Sequence, residues 1–276
     1  MASPASFRRR RLARELRQLR EARHLTSDAV VGAADISQSS LSRIENAVVR
    51  ISPNTVKSLL DVYGVTGEQR DALLALAREA NRQSWWHAYG DVLPEWFEVY
   101  VDLEAEADTL DVYDNQVVNG LLQTEEYARA LLSMCVPEAA PEEIERRVEV
   151  RMQRQARVTG GALRLCAVVD ECVLHRMYGS ASIMSAQIDR LISMASLGNV
   201  SIQVLPAGSP VGVLGSFSIL EFSVTDPVVV YLENEIGALY LEKPEQARHY
   251  SRLYDRLRAA ALGPEASITR LAQLKE

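Results

Sequence analysis

Cysteine is scarce in this chain: three of 276 residues, Cys135, Cys166 and Cys172. They form no CxxC pair and no even-numbered frame. That excludes a disulfide scaffold and a cysteine-based zinc site, and it makes buried small hydrophobes the expected role for all three. Histidine is equally sparse, with four dispersed residues. No metalloprotease HExxH, esterase GxSxG, dinucleotide GxGxxG or P-loop pattern occurs. No apolar run approaches the roughly 18 residues of a membrane span, and no apolar stretch follows the arginines at 8–11 as a leader would require. The expectation is a cytoplasmic protein with no cofactor, no metal and no enzymatic activity.

What is present is a marked division of charge. The net charge of −7 disfavours a nucleic-acid partner taken over the whole chain. Residues 1–60, however, hold 11 Arg and Lys against 5 Asp and Glu, or +6, and residues 61–276 hold 19 against 32, or −13. A basic head on an acidic body suits contact with a polyanion through one end. Arg8, Arg9, Arg10, Arg11, Arg14, Arg17, Arg20 and Arg23 crowd a first helix whose apolar stripe is Leu12, Leu16 and Leu19. Such arginines can form a solvated face or contact phosphate.

Two short helical patterns follow. Thr26 can cap a helix over SDAVVGAAD, where Ala29, Val30, Ala33 and Ala34 recur at helical spacing. In SQSSLSRIEN, Leu41, Ile44 and Val48 step by three and four, so they share an inward face. Gln38, Ser39, Ser42, Arg43 and Asn46 are then left facing out. Short, polar side chains of that kind match base edges and phosphates in a major groove, and two such helices joined by a tight turn are a helix-turn-helix plan. Two further helices, punctuated by Gly64 and Gly67 and closed by Asn81, complete an all-α domain over 1–81.

Residues 82–98 are rich in aromatics and break the periodicity, so they read as a linker. Its tryptophans Trp85, Trp86 and Trp96 suit packing between domains or a stacking surface for a ligand. Over 99–276 the pattern alternates. TLDVYDNQVV, ALRLCAVVD, VSIQVLP, SFSILEF and PVVVYLEN have strand character. Helices are expected after Thr124, from Pro141 to about Val158, over DECVLHRMYG, over SIMSAQIDRLISMASLG to Gly198, and over EQARHYSRLYDRLRAAAL, where Ala247, Tyr250, Leu253, Tyr254 and Leu257 share a face. The chain is therefore multi-domain: an all-α head, then an α/β or α+β domain around a mixed sheet.

LTSDAVVGAADISQSSLSRIEN resembles the lambda-repressor-like (Xre-type) helix-turn-helix. GLLQTEEYARAL, VDECVLHR, VSIQVLP, GSFSILEF and VVVYLEN resemble the C-terminal domain that follows it in WhiJ-like actinobacterial regulators. The resemblance implies a sequence-specific transcriptional regulator, a repressor, that binds a double-stranded DNA operator as a homodimer and is nucleoid-associated when DNA-bound. It also implies a regulatory or partner-binding C-terminal domain, with a small protein encoded by a neighbouring gene as one candidate partner, in an arrangement described as antitoxin-like. Carried over by position, Gln38, Ser39 and Arg43 fall at base-contacting sites, with Ser42 beside them, and Ser40 falls near phosphate. Arg11, Arg14, Ser27 and Arg50 complete the phosphate set. Glu45 matches a structural acidic position. Four residues depart from the pattern: Ser27 stands where glutamine often begins the first motif helix, Asp35 replaces the turn glycine, Ala47 replaces a glycine after Asn46, and Asn119 stands for proline.

Two other readings compete. Asp170, Glu171 and His175 lie within six residues, and the last two share a helix face as two metal ligands would, so a metal-dependent enzyme is the first alternative. The second gives the loop containing Gly208, Gly212 and Gly215 a ligand role in a sensing domain that controls the head.

Overall fold

A computed structural model describes residues 6–82, 84–211, 213, 215–222 and 226–275. Its contacts divide it into two units, Met1–His87 and Ala88–Glu276.

The N-terminal unit is helical, and nearly every helix start carries its own signal. α1 (Phe7–Ala22) is capped by Ser6, α2 (Ser27–Ala34) by Thr26, α3 (Gln38–Glu45) by Ser37 and α4 (Pro53–Val62) by Ser52; each cap hydroxyl accepts a backbone N–H three residues on. α5 (Gly67–Ala80) closes on Asn81, whose Nδ2 donates to the Ile51 carbonyl at 2.7 Å. One core joins them: Leu12, Leu16, Val30, Leu41, Leu59 and Tyr63 are among its buried members. In α2 only Val30 and Ala34 are buried; Ala29 and Ala33 face solvent. The expectation for Val48 also fails, because it is 62% exposed. α3 stops at Glu45, and Ala47 takes a left-handed backbone that redirects the chain, so Ala47 and Ile51 fill the inner positions instead. A 3-10 helix, Trp85–Tyr89, occupies much of the aromatic segment, with Trp86 buried and edge-on to Trp85 at 5.6 Å. Gln83 lies outside the described residues.

The C-terminal unit is built on a six-stranded mixed sheet. α6 (Glu95–Glu104) leads into β1 (Thr109–Asp114). A 3-10 turn, Gly120–Leu122, precedes α7 (Glu125–Cys135), which is capped by Thr124 as its sequence requires. α8 (Pro141–Arg154) and α9 (Ala156–Thr159) replace the single helix expected to Val158; the break falls at Gln155. Then come β2 (Arg164–Asp170), α10 (Glu171–His175), α11 (Ala181–Ala195), which ends three residues short of Gly198, and β3 (Val200–Leu205). β4 (Phe217–Glu221), β5 (Val229–Asn234), β6 (Gly237–Leu241), α12 (Pro244–Ala260) and α13 (Pro264–Gln273) complete the unit.

The strand order is β3-β2-β1-β4-β5-β6, parallel from β1 to β3 and antiparallel from β1 through β4 and β5 to β6. β2 is buried along nearly its whole length, as a strand covered on both faces must be. α12 covers one face: Ala247, Tyr254 and Leu257 pack with Tyr113, Val168, Phe217 and Val230. The edge at β3 is closed by the chain itself. Leu262 N–H donates to the Val204 carbonyl at 2.9 Å, and Val204 N–H donates to Ser267 Oγ at 2.9 Å. Gln203 Nε2 adds a bond to the Leu262 carbonyl at 2.9 Å.

Three glutamines hold the turn before α7. Gln123 Nε2 donates to the Val118 carbonyl at 2.6 Å, Gln155 Nε2 to the Gly120 and Gln123 carbonyls at 2.9 Å each, and Gln187 Nε2 to the Leu122 carbonyl at 2.8 Å. Gln187 Oε1 accepts from Thr124 N–H at 2.8 Å. A buried irregular segment must satisfy its backbone somewhere, and here side chains do it. Asn119, in the place of the proline, sits at φ −53° and caps the turn through Leu121 N–H at 3.0 Å.

The cysteines divide differently from expectation. Cys166 is buried in β2, whereas Cys135 at the end of α7 and Cys172 in α10 are exposed. Gly208 has φ +90°, in a turn after β3; Gly212 lies outside the described residues.

Candidate nucleic-acid interface

The position of α3 is fixed from below by one ion pair. Arg20 on α1 meets Glu45 at the end of α3 through two parallel bonds, Nε to Oε1 at 2.6 Å and Nη2 to Oε2 at 2.9 Å. Its remaining Nη1 donates to the Leu25 carbonyl at 3.1 Å, just before α2. A planar guanidinium thus ties three segments at once, with both side chains largely withdrawn from water. The carboxylate strengthens the hold on the proton and raises the Arg20 pKa further. Glu45 is structural, and so is Arg20, which leaves it out of any phosphate-contacting set.

Above this anchor the apolar face of α3 is spent on the core through Leu41 and Ile44. Gln38, Ser39, Ser42, Arg43 and Asn46 are exposed on the remaining face. Gln38 Nε2 donates to Asp28 Oδ1 on α2 at 3.2 Å, which orients its carboxamide before any ligand arrives. Asn46 Nδ2 turns back to the Ser42 carbonyl at 2.7 Å and finishes the helix. Ser40 is half-buried, its hydroxyl 2.8 Å from the capping Ser37 hydroxyl.

Two shallow hollows flank α3. One, of about 420 Å³, is lined by Ser27, Gln38 and Ser42 together with Arg17 and Asn46. The other, of about 240 Å³, is lined by Ser40, Arg43 and Arg50 together with Thr55. The turn from α2 to α3 runs through Asp35, which adopts φ 53° and ψ 48°, the left-handed conformation that a turn glycine would otherwise supply and that an aspartate tolerates better than most residues.

Of the nine sequence-predicted site residues, six line these two hollows and Ser39 lies exposed on α3 between them. Arg11 and Arg14 are half-buried on α1 and line neither hollow. Arg17, Asn46 and Thr55 join the hollows without having been in the expected contact set. For Thr55 a signal existed: it stands three residues after the Ser52 cap, so its position at the start of α4 was fixed by the capping pattern. Chemically the arrangement offers amide, hydroxyl and guanidinium groups on a convex helix with cationic hollows to either side, which suits base edges between two phosphate rows.

In the competing trio of Asp170, Glu171 and His175, the two carboxylates are otherwise engaged. Asp170 Oδ1 caps α10 by accepting from Cys172 N–H at 3.0 Å, and its Oδ2 accepts from the Tyr113 hydroxyl at 3.2 Å. Glu171 accepts from Ala207 N–H at 2.8 Å and pairs with Arg270 at 2.5 Å. The Ala207 N–H and Arg270 together hold its carboxyl below the usual range. Among the described residues no group of three His, Cys, Asp or Glu is placed to hold a metal ion, and no helix is long and apolar enough to cross a membrane.

Comparison with known families agrees with this division. Residues 11–73 match the family described as "Helix-turn-helix domain", and residues 97–273 match "Domain of unknown function (DUF5753)". No curated protein and no solved structure matches the chain. The helix-turn-helix in front of an uncharacterised C-terminal domain is consistent with a two-domain regulator with a DNA-binding role. Since the second match takes in well over half of its residues, the chain belongs to the DUF5753 family.

Proposed function

We propose that the chain is a sequence-specific repressor of transcription that reads an operator through α3. The observation that carries this is the outward row of α3, Gln38, Ser39, Ser42 and Arg43, set on a helix fixed by the Arg20–Glu45 pair. Gln38 can bond adenine and Arg43 guanine, each by two parallel bonds. Phosphate contacts from Ser27, Ser40 and Arg50 in the flanking hollows, and from Arg11 and Arg14 on α1, supply the sequence-independent part of the affinity. The C-terminal domain, of the WhiJ-like type found in actinobacterial regulators, carries no catalysis in this reading. It senses a ligand or a small protein from a neighbouring gene and adjusts the affinity of the head by a coupling free energy, typically about 1 to 3 kcal/mol.

Selection and sequencing of genomic DNA fragments bound by the purified protein, beside a Gln38→Ala, Arg43→Ala variant, tests the proposal. Enrichment of a short symmetric site by the wild type, lost in the variant, is the expected result. No enrichment, or the same enrichment in both, would remove α3 as the reading element. The antitoxin-like alternative differs in one respect: the selected site would lie at the protein's own gene pair and nowhere else.

A further inference from the structure

A cationic cluster lies within the C-terminal unit, under the turn before α7. Arg154 on α8 pairs with Glu104 on α6, Nε to Oε1 at 2.7 Å and Nη2 to Oε2 at 2.6 Å, and both side chains are about 95% buried. The rings of Phe97 and Tyr100 lie 5.0 and 5.4 Å from its guanidinium carbon. One turn earlier on α8, half-buried Arg151 approaches the same place, and its Nη1 donates to Gln123 Oε1 at 2.7 Å. The carboxamide cannot turn away, because its Nε2 is committed to Val118. Both guanidiniums converge on Gly120: a side-chain carbon there would lie 3.5 Å from Arg151 Nε and 3.6 Å from Arg154 Nη1.

The charges in this cluster do not balance. Among the described residues one carboxylate, Glu104, stands at ion-pair distance from either guanidinium, and it is taken up by Arg154. Glu233, at the end of β5, attracts Arg151 from beyond ion-pair range, but it is exposed and accepts the Tyr231 hydroxyl at 2.8 Å. Burial pushes the Arg151 guanidinium down to about 10, with the neighbouring Arg154 as the second cause. Arginine nevertheless keeps its proton in a protein, so the cation persists, and no carboxylate among the described residues stands at ion-pair distance from Arg151. Three N–H-bearing nitrogens, Nε and Nη2 of Arg151 and Nη1 of Arg154, make no hydrogen bond among the described residues. Gly120 places no side chain against them.

We propose that Arg151 and the Nη1 edge of Arg154, brought together beside Gly120, form a receptor for the anionic group, carboxylate or phosphate, of a small ligand. A planar fork with two unused donors is the geometry that grips such a group by parallel bonds. The receptor gives chemistry to the ligand-sensing reading of the C-terminal domain, and rests on that reading only for the step from binding to regulation.

The test is calorimetric titration of the full chain, held in chloride buffer, with inorganic phosphate and with acetate in separate runs. An Arg43→Ala, Arg50→Ala variant serves as control for phosphate bound at the head. Saturable binding of at least one anion by wild type and head variant, weakened by about tenfold or more in Arg151→Gln, is expected. Phosphate alone would assign a phosphate-bearing ligand and acetate alone a carboxylate. No saturable binding of either anion to the wild type, or equal affinity in Arg151→Gln, would overturn the proposal. Should Arg151→Gln fail to fold by circular dichroism, Arg151→Lys, which keeps the charge and loses the fork, carries the same comparison. DNA binding measured with and without the bound anion reports on regulation separately: an unchanged affinity would discard sensing and leave the receptor in place.

Discussion

Ala47 holds a left-handed backbone at φ 56°, where an L side chain costs about 1 to 2 kcal/mol relative to the right-handed region. Ala47→Gly should therefore raise the stability of the head by about 0.5 to 1 kcal/mol, after the added chain entropy of glycine is set against the relief. A lower thermal midpoint for the variant would show that the buried methyl matters more than the strain. Asp114, at the end of β1, poses a problem of charge. It is buried, one carboxylate oxygen has no hydrogen-bond partner, and burial pushes its pKa up to about 7 despite bonds from Asn119. The folded chain then binds a proton that the unfolded chain has already released between pH 4 and pH 7. The stabilisation from that proton is complete below the unfolded pKa, near 4, and is lost as pH rises to about 7. Asp114→Asn should remove that slope. The variant should be more stable than wild type at pH 8 by about 2 to 4 kcal/mol, since each tenfold change in proton affinity is worth roughly 1.4 kcal/mol, with the gap closing toward pH 4. Parallel stability profiles from pH 4 to 8 would refute the assignment.

Among the elements, α3 depends on an attachment whose partners are 25 residues apart. Glu45→Gln leaves the Arg20 guanidinium without its carboxylate in a largely dry site, at a cost of about 2 kcal/mol in denaturant unfolding and with weaker binding to the preferred DNA site. Unchanged stability would mean that packing of Leu41 and Ile44 alone seats the helix. The exposed face of α3 and its flanks should separate by contact type. Gln38→Ala costs about 1 to 3 kcal/mol on the preferred site and relaxes sequence choice, whereas Arg50→Ala weakens specific and random DNA alike. Equal losses on both DNAs for Gln38→Ala would take it out of the base-reading set. The helices of the head were legible through apolar residues at helical spacing, with Thr26 as the start signal of α2; the caps Ser37 and Ser52 mark α3 and α4 in the same way. Strands β1 to β5 were legible as β-branched runs between breakers. α6 was hidden by the aromatics Trp96, Phe97 and Tyr100, β6 by its short run at the far side of a two-residue turn, and α13 by the Gly263–Pro264 pair at its start, which reads as a breaker. Val48 was misplaced because helical spacing was carried past a left-handed residue that only the backbone reveals. The Arg154–Glu104 pair, fifty residues apart in the chain, has no local signal at all.

For the whole molecule, the opposite charges of the two ends of the sequence confine attraction for DNA to the head, so binding should weaken steeply with salt. A symmetric operator calls for two heads about 34 Å apart, one helical turn of DNA. Light scattering should accordingly find twice the chain mass in solution and on DNA; a single-chain mass in both would remove the homodimer. The covered edge at β3 bears on handling and on misfolding alike. Leu262 and Ser267 occupy the hydrogen-bonding groups of Val204, which would otherwise stand in an open row. A chain clipped after α12 would lose more than its last helix. It would bare a ready template for cross-β pairing, and molecules would recruit one another edge to edge, so the segment that follows α12 serves as a built-in guard against aggregation.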